Sequence, residues 1–298
     1  MSTMKQPVFR GSAAAMITPF DRAGELDFQA LGVQIDRQLA AGTSALVMCA
    51  TTGECATLGD GEWERVLEFT LQRVCGRIPV VAGVGRNDTR RTVLLCKRAK
   101  SLGAQGTLAV TPYYNKTTQE GLIRHYETAA DAADLPMILY NVPSRTGMSI
   151  LSETYARLAK HPNIFGTKEA SGDFGLMLKV KALCPPDFAL YSGNDDHIVP
   201  VLSLGGVGVI STMANVIPAE TQRICNLWEQ NDREGAAKLQ IRCQPLIQAL
   251  FREVNPIPVK SAMAMLGLDS GYVRQPLTEI GSAAREELRQ AMGSLGLL

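Results

Sequence analysis

The sequence lacks the features that mark secreted, membrane-spanning and metal-holding proteins. Its first residues, MSTMKQPVFRG, contain no apolar core of about 7–15 residues as in a signal peptide, and no run of about 18 apolar residues follows. Only three histidines occur, far apart and without a His-Glu-x-x-His spacing. We therefore expect a cytoplasmic protein that has no membrane segment and no metal site.

Paired cysteines, an excess of charge and a phosphate-binding loop are also missing. The formal net charge is +1, so neither nucleic acid nor an acidic membrane is an expected partner. Gly83-Val84-Gly85 and Gly205-Gly206-Val207-Gly208 complete neither a dinucleotide fingerprint nor a P-loop, so no cofactor is expected. The seven cysteines lack a Cys-x-x-Cys pair and are typical of reduced, mostly buried thiols: Cys49, Cys55, Cys75, Cys96, Cys184, Cys225 and Cys243.

Eight short β-rich runs recur along the first 220 residues, and helical patterns separate them. The runs are almost continuously apolar, which is typical of parallel strands that helices cover on both faces. Eight strand-helix units predict a (β/α)₈ TIM barrel over residues 1–220 better than an open doubly wound sheet. The predicted strands are 12–18, 44–50, 79–85, 106–111, 136–142, 164–170, 188–193 and 206–212.

The remaining residues, 221–298, form a predicted C-terminal helical extension. No low-complexity or Pro/Ser-rich linker separates them from the barrel, so we expect the extension to pack on it. The helical patterns cover 218–231, 233–253, 257–267 and 281–296.

Lys168 is the most informative residue at the predicted strand ends. Active sites of such barrels lie at the carboxyl ends of the strands, and Lys168 should project from the sixth strand into the barrel mouth. Burial disfavours the charged form of an amine, and a neutral amine can attack a carbonyl to form an imine. The alternatives are that Lys168 extends to solvent or pairs with Glu169.

Two other strand ends carry side chains suited to the same chemistry. Tyr140 ends the neighbouring strand and could transfer protons, although it could also simply anchor the strand end. Thr51 and Thr52 could hold a carboxylate or relay a proton, or cap a following helix with Glu54 in its first turn. Arg145 offers a planar fork for a substrate carboxylate, although most loop arginines are merely solvated.

At these positions the chain resembles the dihydrodipicolinate synthase/N-acetylneuraminate lyase family over nearly its whole length. The arginine of ILYNVPSRTG and the NPIPVK segment are similar to the synthase branch of that family rather than to its sugar-acid lyases and aldolases. The matching segments are ATTGE (50–54), TPYYNK (111–116), ILYNVPSRTG (138–147), GTKEASG (166–172) and NPIPVK (255–260).

The resemblance implies a role for each of these residues. Lys168 would form a Schiff base with pyruvate, Tyr140 would transfer protons with Thr51, and Tyr114 would complete the relay from a neighbouring subunit. Thr52 would bind the pyruvate carboxylate. The remaining implied positions lie near the second substrate, L-aspartate 4-semialdehyde, or near the imine: Arg145, Gly193, Asn194 and the Ile210 backbone.

The implied reaction condenses pyruvate with L-aspartate 4-semialdehyde on the route to diaminopimelate and lysine, without a cofactor. The implied assembly is a homotetramer, a dimer of dimers. Two alternatives stay open: another Schiff-base lyase or aldolase acting on a sialic acid or a keto-deoxy sugar acid, and a non-catalytic relative that binds a keto acid or a protein partner.

The chain departs from the family pattern in two places. Ala50 stands where the family usually has glycine. Lysine-inhibited members bind their effector at positions that are here Asp60, Trp63, Asn87, Arg91 and Tyr113. Arg91 replaces a carboxylate that would grip the ammonium of the effector, which predicts weak or absent inhibition by L-lysine.

Overall fold

Eight parallel strands close into a barrel in the computed structural model, which describes residues 4–298. Each strand pairs with its sequence neighbour, and the first strand pairs with the eighth. The predicted (β/α)₈ barrel is therefore confirmed, and each strand overlaps its predicted run. The strands are β1 Gly11–Ala15, β2 Ala45–Met48, β3 Val80–Gly83, β4 Gly106–Val110, β5 Met137–Asn141, β6 Ile164–Glu169, β7 Ala189–Ser192 and β8 Gly208–Ser211.

Helices surround the barrel, and several begin at a side chain that caps their first turn. Asp27, for example, accepts a hydrogen bond from the Ala30 amide at 2.9 Å. The helices are α1 Phe28–Ala40, α2 Asp60–Val74, α3 Thr89–Leu102, α4 Gln119–Ala133, α5 Pro143–Thr146, α6 Ser152–Leu158, α7 Phe174–Leu183, α8 Ile198–Ser203, α9 Pro218–Glu229, α10 Arg233–Leu250, α11 Ile257–Met265 and α12 Ser282–Ser294. Within residues 4–298, none of these helices combines the length and apolarity needed to cross a membrane.

A register shift in the β5–β6 pair turns Lys168 into the barrel. Met137 pairs with Ile164, but the next pair is Ile138 with Gly166, so Phe165 is an extra residue in β6. Ile164 packs in the outer core between strands and helices, whereas Ile138 and Tyr140 belong to the barrel interior. The shift places Lys168 beside Tyr140 of β5.

The C-terminal helices pack on the barrel. Apolar residues of β8 and α8 share one buried cluster with residues of α10, α11 and α12, including Leu246, Val259 and Leu288. The predicted division between residues 220 and 221 falls within the first turn of α9, which also packs against β1. The division into a barrel and an extension stays a prediction.

Candidate active site

Lys168 lies inside the barrel, and 5% of its surface is exposed. Its Nζ atom is 4.5 Å from the ring centre of Tyr140. The pKa of Lys168 is lowered to about 8, mainly by burial; the carboxylate of Asp195 opposes this shift and the cation of Arg145 adds to it. An amine in this environment supplies a useful neutral fraction near neutral pH.

Neither alternative placement of Lys168 is found. The side chain is not extended into solvent, and the Glu169 carboxylate points to the other side of the strand. There it accepts hydrogen bonds from Asn141 Nδ2 at 3.0 Å, Tyr155 Oη at 3.0 Å and the Ser171 amide at 2.8 Å. The lysine is thus left available for chemistry.

Tyr140 and Thr51 lie together at the mouth of the barrel. Burial raises the pKa of the Tyr140 hydroxyl. The charge of Arg145 and hydrogen bonding with the Thr51 side chain partly offset that rise. Both residues line a small cavity of about 20 Å³. A hydroxyl pair of this kind can pass a proton to and from a group bound at Lys168.

Thr52 is buried in a hydrogen-bonded row of polar side chains. Asn255 Nδ2 donates to Thr52 Oγ1 at 3.0 Å, and Thr212 Oγ1 lies 3.4 Å from the same atom. The hydroxyl therefore has a defined orientation. The capping alternative for Thr51 and Thr52 is wrong, because α2 begins only at Asp60, six residues beyond Glu54.

Arg145 lies at the rim of a larger cavity of about 290 Å³. Its Nη2 atom donates to the carbonyl oxygen of Asn255 at 3.0 Å, which ties the loop after β5 to the C-terminal extension. Thr51 also lines this cavity, so the two cavities adjoin. An anionic group in the larger cavity would find its counter-charge in Arg145.

Four further predicted site residues, like Lys168 and Thr52, line neither cavity. Tyr114 is 93% exposed and projects from the loop after β4. Gly193 follows β7, where its amide donates to the Glu169 carbonyl at 2.8 Å. Asn194 Nδ2 lies 3.4 Å from His197 Nδ1, and Ile210 is a buried member of the barrel interior.

Two side chains of the site were not singled out from the sequence. Asp195 is buried, and its Oδ2 atom accepts from the amides of Thr212 at 3.1 Å and Met213 at 2.8 Å. Asn255 comes from the extension and lines the larger cavity. The sequence signals available for them were the position of Asp195 after β7 and the position of Asn255 in the NPIPVK segment.

No group of three His, Cys, Asp or Glu side chains within residues 4–298 is arranged to hold a metal ion.

The positions compared with the effector site of lysine-inhibited relatives are already occupied by internal contacts. Arg91 forms an ion pair with Asp60, and Trp63 is buried and donates from Nε1 to the Gly83 carbonyl at 3.0 Å. The Asn87 carbonyl accepts from Asn115, and Tyr113 is half-buried.

Comparison with known proteins gives consistent matches over almost the whole chain. The family model described as the dihydrodipicolinate synthetase family matches residues 8–294. The chain is 50% identical over 291 residues to the 4-hydroxy-tetrahydrodipicolinate synthase of Caldicellulosiruptor saccharolyticus, covering 98% of each chain. It is similar to the dihydrodipicolinate synthase structure from Thermotoga maritima, with a TM-score of 0.96 and 41% identity over 98% of this chain and 100% of that one. A structure described as the first monomeric dihydrodipicolinate synthase variant also has a TM-score of 0.96, with 41% identity over 98% of each chain.

Proposed function

The chain belongs to the dihydrodipicolinate synthetase family, and from that premise we propose that Lys168 carries out the 4-hydroxy-tetrahydrodipicolinate synthase reaction. The observation that supports this most directly is a buried lysine with a pKa of about 8, 4.5 Å from the ring of Tyr140. The proposed reaction lies on the route to diaminopimelate and lysine. It therefore differs from the two alternatives, which are cleavage of a sugar acid and non-catalytic binding of a keto acid.

The first half-reaction joins pyruvate to the enzyme. The neutral Lys168 amine attacks the keto carbon of pyruvate, and the carbinolamine loses water to form the Schiff base. Tyr140 supplies and removes protons, with Thr51 relaying them and Tyr114 of a neighbouring subunit completing the relay. The Thr52 hydroxyl, oriented by Asn255, donates to the pyruvate carboxylate. No cofactor is needed because the protonated imine itself accepts electron density.

The second half-reaction joins the two substrates. Loss of a methyl proton gives the enamine, which attacks the aldehyde carbon of L-aspartate 4-semialdehyde and forms the new carbon-carbon bond. The amino group of the semialdehyde then displaces Lys168 from the imine, closing the ring and freeing the enzyme. The net change is one water released. Arg145 binds the carboxylate of the semialdehyde, with Gly193 and Asn194 nearby and the Ile210 backbone next to the imine.

We propose a homotetramer built as a dimer of dimers, as the family resemblance implies; the Tyr114 role requires the contact within each dimer. The exposure of Tyr114 in the single chain supports this assembly. We further place the reaction in the cytoplasm, since all seven cysteines are free thiols.

The proposal is tested by trapping and by acceptor choice. Borohydride with pyruvate should add a reduced pyruvyl group at Lys168, detected by peptide mass spectrometry, and the Lys168→Ala variant should remain unlabelled. The semialdehyde should be preferred over N-acetylmannosamine and glyceraldehyde by about a hundredfold in kcat/KM, or about 2.7 kcal/mol. Labelling at another residue would refute the nucleophile, and preference for a sugar aldehyde would refute the synthase reaction.

A further inference from the structure

A buried ion pair joins the C-terminal extension to the turn that carries Thr51 and Thr52. Lys260 Nζ lies 2.8 Å from Glu54 Oε1, and the two side chains are 0% and 1% exposed. The pair connects α11 to the loop after β2, across 206 residues of chain. Neither residue takes part in the reaction steps described above.

The other carboxylate oxygen of Glu54 is also bound by the extension. The Arg274 amide donates to Glu54 Oε2 at 3.0 Å. Glu54 has a φ of +52°, in the left-handed region that a residue with a Cβ atom adopts only where surrounding contacts hold it. The carboxylate thus fixes an otherwise unfavourable backbone conformation directly after Thr51, Thr52 and Gly53.

Lys260 reaches the same turn by a second route. Its Nζ atom donates to the Thr18 carbonyl at 2.9 Å, and the Thr18 hydroxyl donates to the Gly53 carbonyl at 2.8 Å. The ammonium also lies 4.2 Å from the ring centre of Phe20, whose aromatic face favours a cation. The Gly53–Glu54 peptide is therefore held from both sides by contacts that converge on one lysine.

The turn has little space in which to shift while these contacts persist. The Gly53 amide donates to the Ala50 carbonyl at 3.0 Å, and the Glu54 amide donates to the Thr51 carbonyl at 3.1 Å. A Cβ atom added at Gly53 would lie 3.1 Å from the Met16 carbonyl oxygen. A displacement of Glu54 would consequently move Thr51 and Thr52 with it.

We infer that Lys260 and Glu54 are positioning residues, which set the Thr51-Thr52 turn for the pyruvate carboxylate and the proton relay. The inference rests on the proposed function, because it assigns the turn to pyruvate binding. It makes the C-terminal extension a functional part of the active site. Removing the pair should weaken pyruvate binding even in a chain that remains folded.

The main variant is the double substitution Glu54→Gln/Lys260→Met, which removes both charges of the pair together. The amide oxygen of the new glutamine side chain can still accept from the Arg274 amide. We expect KM for pyruvate to rise at least about tenfold, with a smaller change in kcat per site. Sites are counted by borohydride trapping at saturating pyruvate, and folding is followed by circular dichroism and Tm.

The single variant Glu54→Gln keeps the Lys260 contacts with Thr18 and Phe20 but leaves the buried ammonium without its counter-charge. We expect a rise of about threefold or more in KM for pyruvate. If the double variant does not fold, the KM of Glu54→Gln for pyruvate tests the positioning role by itself. The control is Glu234→Gln, which breaks the exposed Lys238–Glu234 ion pair in α10 of the extension. Neither residue of that pair forms a hydrogen bond with the turn among the described residues, so the control should leave KM for pyruvate unchanged.

The outcomes separate this inference from the proposed function. Wild-type protein that is not trapped at Lys168 contradicts the proposed function itself. Trapped wild type, together with folded Glu54 and Lys260 variants whose KM for pyruvate stays within about twofold of the wild-type value, contradicts the inference alone. In that case the ion pair would serve stability only. An equal rise of KM in the Glu234→Gln control would likewise overturn it.

Discussion

At the scale of single residues, the chemistry depends on the surroundings of one amine. The interior of the barrel lowers the pKa of Lys168, and the nearby charges of Arg145 and Asp195 act on it with opposite signs. Asp195 is itself buried, and its Oδ1 atom makes no hydrogen bond among the described residues. Its backbone contacts hold it beside β8, so its electrostatic effect on the lysine comes from a fixed position.

The pH dependence follows from the sign of this shift. Attack on pyruvate requires the neutral amine, which is lost when the pH falls below the pKa of about 8. We expect kcat/KM for pyruvate to fall about tenfold per pH unit on the acid side and to level off above about pH 8. Asp195→Asn removes the charge that raises this pKa, so the midpoint should move to lower pH.

The exposed neighbour Asp196 provides the control for this measurement. Its side chain is 44% exposed, so Asp196→Asn should leave the midpoint unchanged. An Asp195→Asn midpoint equal to or above that of the wild type would contradict the electrostatic role of Asp195.

At the scale of elements, the sequence pattern was sufficient for the strands and most helices. Continuous apolar runs predicted all eight strands because helices bury both faces of each. The strand-end rule then located Lys168, Tyr140, Thr51, Thr52 and Arg145. The extra residue at Phe165 was not predicted, because the apolar pattern of β6 contains no signal for a bulge.

The contacts between the extension and the site could not be predicted from the residues alone. Asn255 bonds to Thr52 across 203 positions of sequence, and Lys260 bonds to Glu54 across 206. No local pattern encodes a contact of that separation. Glu54 was weighed as part of a helix start, whereas the structure places it in a left-handed turn six residues before α2.

The ion pair between α2 and α3 carries the prediction on L-lysine. Asp60 of α2 and Arg91 of α3 bind each other. By the family resemblance, Arg91 puts a cation at the position where an effector ammonium would need an anion. We expect an inhibition constant for L-lysine above about 1 mM, measured by initial rates at fixed substrates. Arg91→Glu should bind L-lysine more tightly than the wild type does. A wild-type inhibition constant for L-lysine well below millimolar would contradict this role of Arg91.

At the scale of the whole molecule, the single chain supplies the nucleophile but leaves one proposed relay group in solvent. Tyr114 is 93% exposed and adopts a φ of +70°, while Lys168 lies inside the barrel. In the proposed relay, the two act together because the Tyr114 loop enters the site of another subunit. One solved relative is described as a monomeric variant. The assembly of this chain is therefore tested by direct measurement.

Complementation between two inactive variants tests whether the site is shared. In a dimer of Tyr114→Phe and Lys168→Ala subunits, one site has an intact Lys168 and receives an intact Tyr114, while the other has neither. Random mixing makes half of the dimers mixed, so activity should recover to about a quarter of the wild-type level after unfolding and refolding together. Each variant refolded alone is the control and should stay near its own low activity. If the mixture shows only the average of the two variants, Tyr114 acts within its own chain or not at all, and the dependence of the site on a second subunit is refuted.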